Sequence, residues 1–223
     1  MRRFGTICAT LALSGCAPQG SENQQQQALG QVSAKPSTSS ESGSESKVRS
    51  GPFGLAMGQP ISELKFVDAS DTDPTQARAL ESVPKPMPEL NMYAVVAYPE
   101  TGICEIRTVS KTFDSDAYGV NVRSAIDALS DALDAKYGKH DKSTYCSSMG
   151  SCQFFQMGLR DGSQGYSYTW SKSTGAKLPD DVSEVTLTAM PGEYNDTFYR
   201  LDYTSSNREG CRNAERKAKA AAL

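Results

Sequence analysis

The chain has 223 residues, 23 basic and 26 acidic side chains, one histidine and six cysteines, with a net charge of −3. Mild acidity without a basic face argues against nonspecific nucleic-acid binding. With His140 as the only imidazole, a histidine-rich metal centre is excluded.

Met1-Arg2-Arg3 precedes a run of apolar and small residues from Phe4 to Leu13. Two positive charges before about ten apolar positions fit a secretory signal peptide. The run is too short to span a bilayer, which takes about 20 residues. It ends in Leu13-Ser14-Gly15-Cys16. That tetrad resembles the lipobox of bacterial lipoproteins at every position. The resemblance implies cleavage after residue 15, acylation of the Cys16 thiol, and several acyl chains holding the mature protein at a bilayer, since one chain holds only marginally. Ala17 follows the cysteine rather than the aspartate that often retains such proteins in the inner membrane, which points to the outer membrane.

Residues 17–50 contain no aromatic residue and are rich in Gln, Ser, Gly and Glu. Such a segment buries too little apolar surface to offset its ordering entropy, so 16–50 reads as a lipidated N-terminus and flexible tether spanning about 30 Å. Residues 51–223 suit one domain with its own core. Four cysteines remain there: Cys104, Cys146, Cys152 and Cys211. In an oxidising compartment an even number implies disulfides, and four cysteines allow three connectivities. The expected pairs are Cys146–Cys152, closing a short loop, and Cys104–Cys211, tying the C-terminal segment to a strand. Cys-x5-Cys is not a usual zinc spacing, so no metal is expected.

The domain opens Pro52-Phe53-Gly54-Leu55-Ala56-Met57-Gly58. This resembles the Phe-Gly-Leu-x-Met-Gly opening of many small bacterial envelope proteins. It is also loosely similar to the first helix of beta-lactamase-inhibitor-like and outer-membrane assembly lipoprotein folds, modules that bind other proteins. The match covers about 15 residues, and no functional residue is carried over from it. Asp68, Asp71 and Asp73 cluster without the glycine and glutamate register of a calcium loop. They read as turn and cap residues, and Asp73-Pro74 as a helix start.

Residues 92–98 and 103–109 flank a short glycine-containing turn and predict a hairpin, its first strand apolar throughout and therefore central. Tyr118, Val122, Ile126, Leu129, Leu133 and Tyr137 recur at three- and four-residue spacing and predict one long helix. Asp127, Ser130, Asp131 and Asp134 fall on its other side, with Ser115 or Asp116 as N-cap and Gly138 as C-cap. Four alternating runs follow. Phe155, Met157 and Leu159 share one parity; so do Tyr166, Tyr168 and Trp170; Val185, Leu187 and Ala189; and Tyr199, Leu201 and Tyr203. Period two predicts strands with one buried face. Arg208 to Leu223 reads as an alanine-rich terminal helix carrying basic residues.

The expected fold is therefore α+β: an antiparallel sheet of about six strands with one long helix packed on one face, plus a C-terminal helix. No nucleophile elbow or phosphate loop is present. His140 reads as a surface residue, and Asp114/Asp116 and Asp180/Asp181 as turn residues. No cofactor is expected. Tyr166, Tyr168, Trp170, Tyr199 and Tyr203 are the candidate binding face, because Tyr and Trp supply rigid contact area where they are uncovered; core packing explains them otherwise. The reading is an envelope lipoprotein that binds an envelope or exported protein. The alternatives are a carboxylate-dependent cell-wall hydrolase and a structural envelope protein.

Overall fold

A computed structural model describes residues 50–68, 76–147 and 151–221. The signal peptide, Cys16 and the tether through residue 49 lie outside the described residues, as do Asp71, Asp73 and the Pro74 helix start.

The described chain forms one seven-stranded sheet and three α-helices. The strands are β1 (Arg78–Ala79), β2 (Leu90–Tyr98), β3 (Gly102–Ser110), β4 (Asp141–Cys146), β5 (Gln164–Ser171), β6 (Val182–Pro191) and β7 (Thr197–Ser205). The helices are α1 (Val120–Tyr137), α2 (Phe155–Asp161) and α3 (Arg208–Ala221). The sheet order is β1-β2-β3-β7-β6-β5-β4, and every neighbouring pair is antiparallel. After the β2–β3 hairpin, α1 carries the chain across the sheet to its far edge, β4. From there β5, β6 and β7 return strand by strand until β7 pairs with β3. The α+β class and the terminal helix stand as expected.

The inner face is packed by α1 and α2. Val122, Ile126, Leu133 and Tyr137 of α1 are buried against Ile106, Leu201, Leu187 and Trp170 of the sheet in one core cluster. Ser130, expected on the solvent side, is buried, and Leu129 is only half-buried. Tyr118, expected on the helix face, precedes the helix and is 55% exposed. The helix begins after Gly119. Its free N–H groups are met by Asp116, whose buried carboxylate accepts from the Asn121 and Val122 amides at 3.0 Å each and from the Thr197 hydroxyl at 2.7 Å. Gly138 ends the helix as expected.

Phe155, Met157 and Leu159 form the helix α2, not a strand. Positions 155 and 159 satisfy both a period of two and a helical turn, so they do not distinguish the two; Met157, which does, points to solvent at 57% exposure. The count of four strands after α1 is completed by β4, the first of them, whose six residues are all exposed and carry no apolar alternation. β2 is not central. It is apolar throughout because its outer side chains, Val96 and Tyr98, are covered by α3 around Ala214. A bulge makes this possible: Val96 pairs with Glu105 and Ala97 with Ile103, which leaves Cys104 extra and turns it onto the outer face. There it forms the disulfide to Cys211 of α3; the second disulfide joins Cys146 to Cys152, with Cα atoms 5.8 Å apart in each.

The opening segment is two 3-10 turns, Pro52–Gly54 and Ile61–Glu63, rather than a first helix. It wedges Phe53 edge-on against Tyr93 and Tyr203, at 5.1 and 5.8 Å. Gln76 lies in a bend, and the chain then enters β1 rather than a helix.

Candidate functional site

Period two in β5 sends Tyr166, Tyr168 and Trp170 to the inner face. Each then brings a polar tip to one stripe of α1. Asp127 and Asp134, seven residues apart, lie on that stripe. The Tyr166 and Tyr168 hydroxyls donate to Asp127 Oδ1 at 2.6 and 2.5 Å. The Trp170 indole donates to Asp134 Oδ1 at 2.8 Å and to the Gly138 carbonyl at 3.1 Å. His140 is not a free surface residue: its Nδ1 lies 2.7 Å from Asp134 Oδ1, and its ring packs edge-on to Tyr168 and Trp170.

Lys142 closes this network from the edge strand. Its ammonium donates to the Tyr166 hydroxyl at 2.8 Å, lies 3.6 Å from Asp127 Oδ1, and sits over the Tyr166 and Tyr168 rings at 4.6 and 4.8 Å. Partial burial works against the Asp127 charge, but the two tyrosine hydrogen bonds and Lys142 outweigh it and hold the carboxyl below its ordinary value. Burial, then the bond to Asp127, push the Tyr168 hydroxyl up.

Beside this network an open cleft of about 410 Å³ lies between the start of α1, α2 and the β4–β5 edge. Arg123, Lys142, Thr144, Tyr145, Phe155 and Tyr166 line it. Arg123 lies over the Phe155 ring at 4.9 Å and donates to the Gly119 and Tyr118 carbonyls at 2.9 Å each. It meets no carboxylate among the described residues. Gly119 shapes the wall of the cleft, and Gly165 seats Tyr145 on the opposite face of β5. A Cβ on Gly119 would come within 1.9 Å of the Phe155 ring, and one on Gly165 within 2.2 Å of the Tyr145 ring, so both rings lie close over bare backbone. The Cys146–Cys152 disulfide ties the end of β4 to the chain entering α2.

The rim is apolar and open. Tyr118 stacks on Phe154 at 5.7 Å. Tyr118, Val120, Tyr145, Phe154 and Met157 are 40–63% exposed, and these five of the eight exposed large apolar residues among the described residues lie on or next to α1, β4 and α2. Single exposed apolar residues are ordinary; two exposed rings stacked on each other beside a cleft form a patch.

A second cavity, of about 310 Å³, lies under α3 beside the Cys104–Cys211 bond. Glu105, Glu184 and Glu215 line it with Arg208 and Arg212. Each carboxylate has a basic partner: Glu105 with Arg107 at 2.7 Å, Glu184 with Arg208 at 3.2 Å, Glu215 with Lys219 at 2.6 Å. On the same outer face, burial pushes Asp202 up to about 6 against the pull of Arg200, and its Oδ1 has no hydrogen-bond partner.

The five residues of the expected binding face are all buried. Tyr166 is 9% exposed, Tyr203 4%, Tyr168 4%, Tyr199 3% and Trp170 0%. α1 and α2 cover that face, and burial pushes the Tyr199 hydroxyl up to about 12. Only the hydroxyl ends of Tyr166 and Tyr168 reach the cleft network. Asp68 and Asp180 are exposed, and Asp116 serves as a buried cap. Among the described residues, no three His, Cys, Asp or Glu side chains gather as a metal site, and no helix is long and apolar enough to cross a membrane. The residues that sequence reasoning missed are Arg123, Lys142 and Phe154. The one signal pointing to them was the Cys146–Cys152 loop, which fixes both walls of the cleft. Compared with known protein families, curated proteins and solved structures, the chain finds no match in any of the three.

Proposed function

We propose that this protein is a lipid-anchored module of the bacterial outer membrane that binds an envelope or exported protein through the cleft at the β4–β5 edge. Attachment to the bilayer rests on the Leu13-Ser14-Gly15-Cys16 tetrad, and reach on the tether that follows. The observation that carries the binding reading is the exposed, stacked pair Tyr118 and Phe154 beside a concavity holding Arg123, which donates to the Tyr118 carbonyl. Aromatic residues, methionine and arginine are the types enriched in protein interfaces. A concave, rigid floor of Phe155 and Tyr166 loses little entropy on contact.

The test is crosslinking in intact cells followed by purification. The wild-type protein should yield a defined partner. The Tyr118→Ala/Phe154→Ala double variant should lose most of it while folding normally, since both rings are exposed. The Cys16→Ser form, mislocalised, should lose it too. A partner retained by the double variant would remove the cleft from the proposal.

A second reading, a cell-wall hydrolase, draws on the three glutamates of the cavity under α3. Paired carboxylates are the groups such hydrolysis uses. Wall-degrading activity in the wild type that is lost on Glu184→Gln would favour this reading over the binder.

A further inference from the structure

The outer strand of the cleft ends the sheet, and the hydrogen-bond phase of its ladder shows which backbone groups face outward. β4 pairs only with β5, from Asp141↔Thr169 to Cys146↔Gln164. One step beyond, the Ser147 amide donates to the Ser163 carbonyl at 2.8 Å. In an antiparallel ladder, hydrogen-bonded pairs recur every second residue. Asp141, Ser143 and Tyr145 therefore turn their N–H and C=O groups to β5. Lys142 and Thr144 turn theirs away from the sheet. The same two residues send their side chains into the cleft.

Folded proteins usually guard such an edge, most often with a lysine projecting past it. Here the lysine does not serve as a guard. Its ammonium is drawn inward over the Tyr166 and Tyr168 rings and held by the Tyr166 hydroxyl. All six residues of β4 are exposed. The one cation of the cleft without a carboxylate is Arg123, which lies on the inner side of that edge.

We infer that β4 takes an extended peptide segment of a partner protein as an added strand, with an acidic side chain of that segment directed into the cleft at Arg123. The inference rests on the binding reading above and names the partner's chemistry. Lys142 and Thr144 supply the main-chain hydrogen bonds, which are indifferent to sequence. Arg123 supplies charge complementarity, and the exposed Tyr118–Phe154 stack beside it offers apolar contact. Strand addition to an exposed edge, with alternate side chains read by pockets, is an established mode of peptide recognition.

The probe is a capped peptide of about nine residues, a common strand length, alternating threonine and valine around a central glutamate. Its glutamine and lysine counterparts are compared with it, as is the glutamate peptide N-methylated at alternate amides. The protein is the whole mature chain carrying Cys16→Ser, followed by amide hydrogen exchange and titration. The glutamate peptide should slow exchange at the Lys142 and Thr144 amides. Affinity should fall from glutamate to glutamine to lysine, about tenfold across the series, as like charge replaces complementary charge. N-methylation should abolish binding. Arg123→Gln should erase the preference, and Arg123→Lys should keep part of it; an unchanged amide spectrum elsewhere certifies both folds.

Unslowed exchange at both amides, or binding indifferent to N-methylation, would overturn the inference. A peptide that shifts Tyr118 and Phe154 but leaves those amides exchanging freely overturns strand addition and leaves the binding cleft standing. Slowing of the same amides with protein concentration alone assigns the edge to a second copy of the chain, and likewise overturns the inference.

Discussion

Replacing both Cys104 and Cys211 by serine should free α3 from the outer face of the sheet. The bond joins residues 107 apart. In the chain-entropy account, a loop of that size restricts the unfolded state by about 4–5 kcal/mol. Little else holds the helix. Ala214 is its only buried residue, and the cluster it joins is small: Val96, Tyr98 and Cys104, with Ala77, Cys211 and Ala218 at its margin. Its two ion pairs to the sheet side, Arg208–Glu184 and Lys217–Glu100, are exposed, and such pairs contribute about 0–1 kcal/mol each. A helix of 14 residues without packing is marginal in water. The expected result has two parts. Urea unfolding shows a loss of up to about 4–5 kcal/mol in global stability. Amide exchange shows α3 losing its protection while β6 and β7 keep theirs. Retained protection along α3, together with a stability loss under about 1 kcal/mol, would refute the view that this one covalent link seats the helix.

Asp127→Asn should cost about 1–2 kcal/mol: two charge-assisted bonds, from Tyr166 and Tyr168, discounted because the carboxylate is half-exposed. Urea melts at neutral pH check this. The folded carboxyl sits below its ordinary 3.8, so its contribution is full above that pH and fades as pH falls through the folded value. Asp202 has the opposite sign. Its folded value, about 6 against 3.8, means the native state holds the proton more tightly, so stability falls as pH rises across that window. Asp202→Asn should therefore stabilise at pH 7 by about 1–3 kcal/mol and flatten the profile between pH 4 and 7; a variant less stable at pH 7 would contradict this. Intact mass of the protein from envelope fractions should show a chain beginning at Cys16 and carrying fatty acid. A chain that starts earlier, or lacks lipid, would remove the anchor.

Most of the sheet was legible because burial writes itself into sequence as period two. Tyr166–Tyr168–Trp170, Val185–Leu187–Ala189 and Tyr199–Leu201–Tyr203 each have one face in the core and one outside, so their alternation is complete. The long helix was legible for the same reason at its own period. β4 left no such trace because it buries neither face. Phe155 and Leu159 were ambiguous because four residues is both two strand repeats and about one helical turn. β2 showed burial on both faces, but sequence alone could not tell a neighbouring strand pair from a covering helix, and α3 supplies the cover. The cleft was hidden more deeply. Arg123, Lys142 and Phe154 come from α1, β4 and the approach to α2, and each alone is an ordinary surface residue. Only the crossing of α1 to the far edge of the sheet brings them together. The tyrosines that sequence reasoning favoured turned out to be the floor and the core beneath that site rather than its surface.

A photoreactive amino acid placed at Thr144, whose side chain lines the cleft, and separately at Thr186 on the outer face of β6, tests the binding cleft most directly. Irradiation of intact cells should give a discrete adduct from position 144 and none from 186, and the adduct should vanish on Phe154→Ala. The absence of any adduct at 144, or equal yields from both positions, would show that the cleft is not where this protein meets its partner.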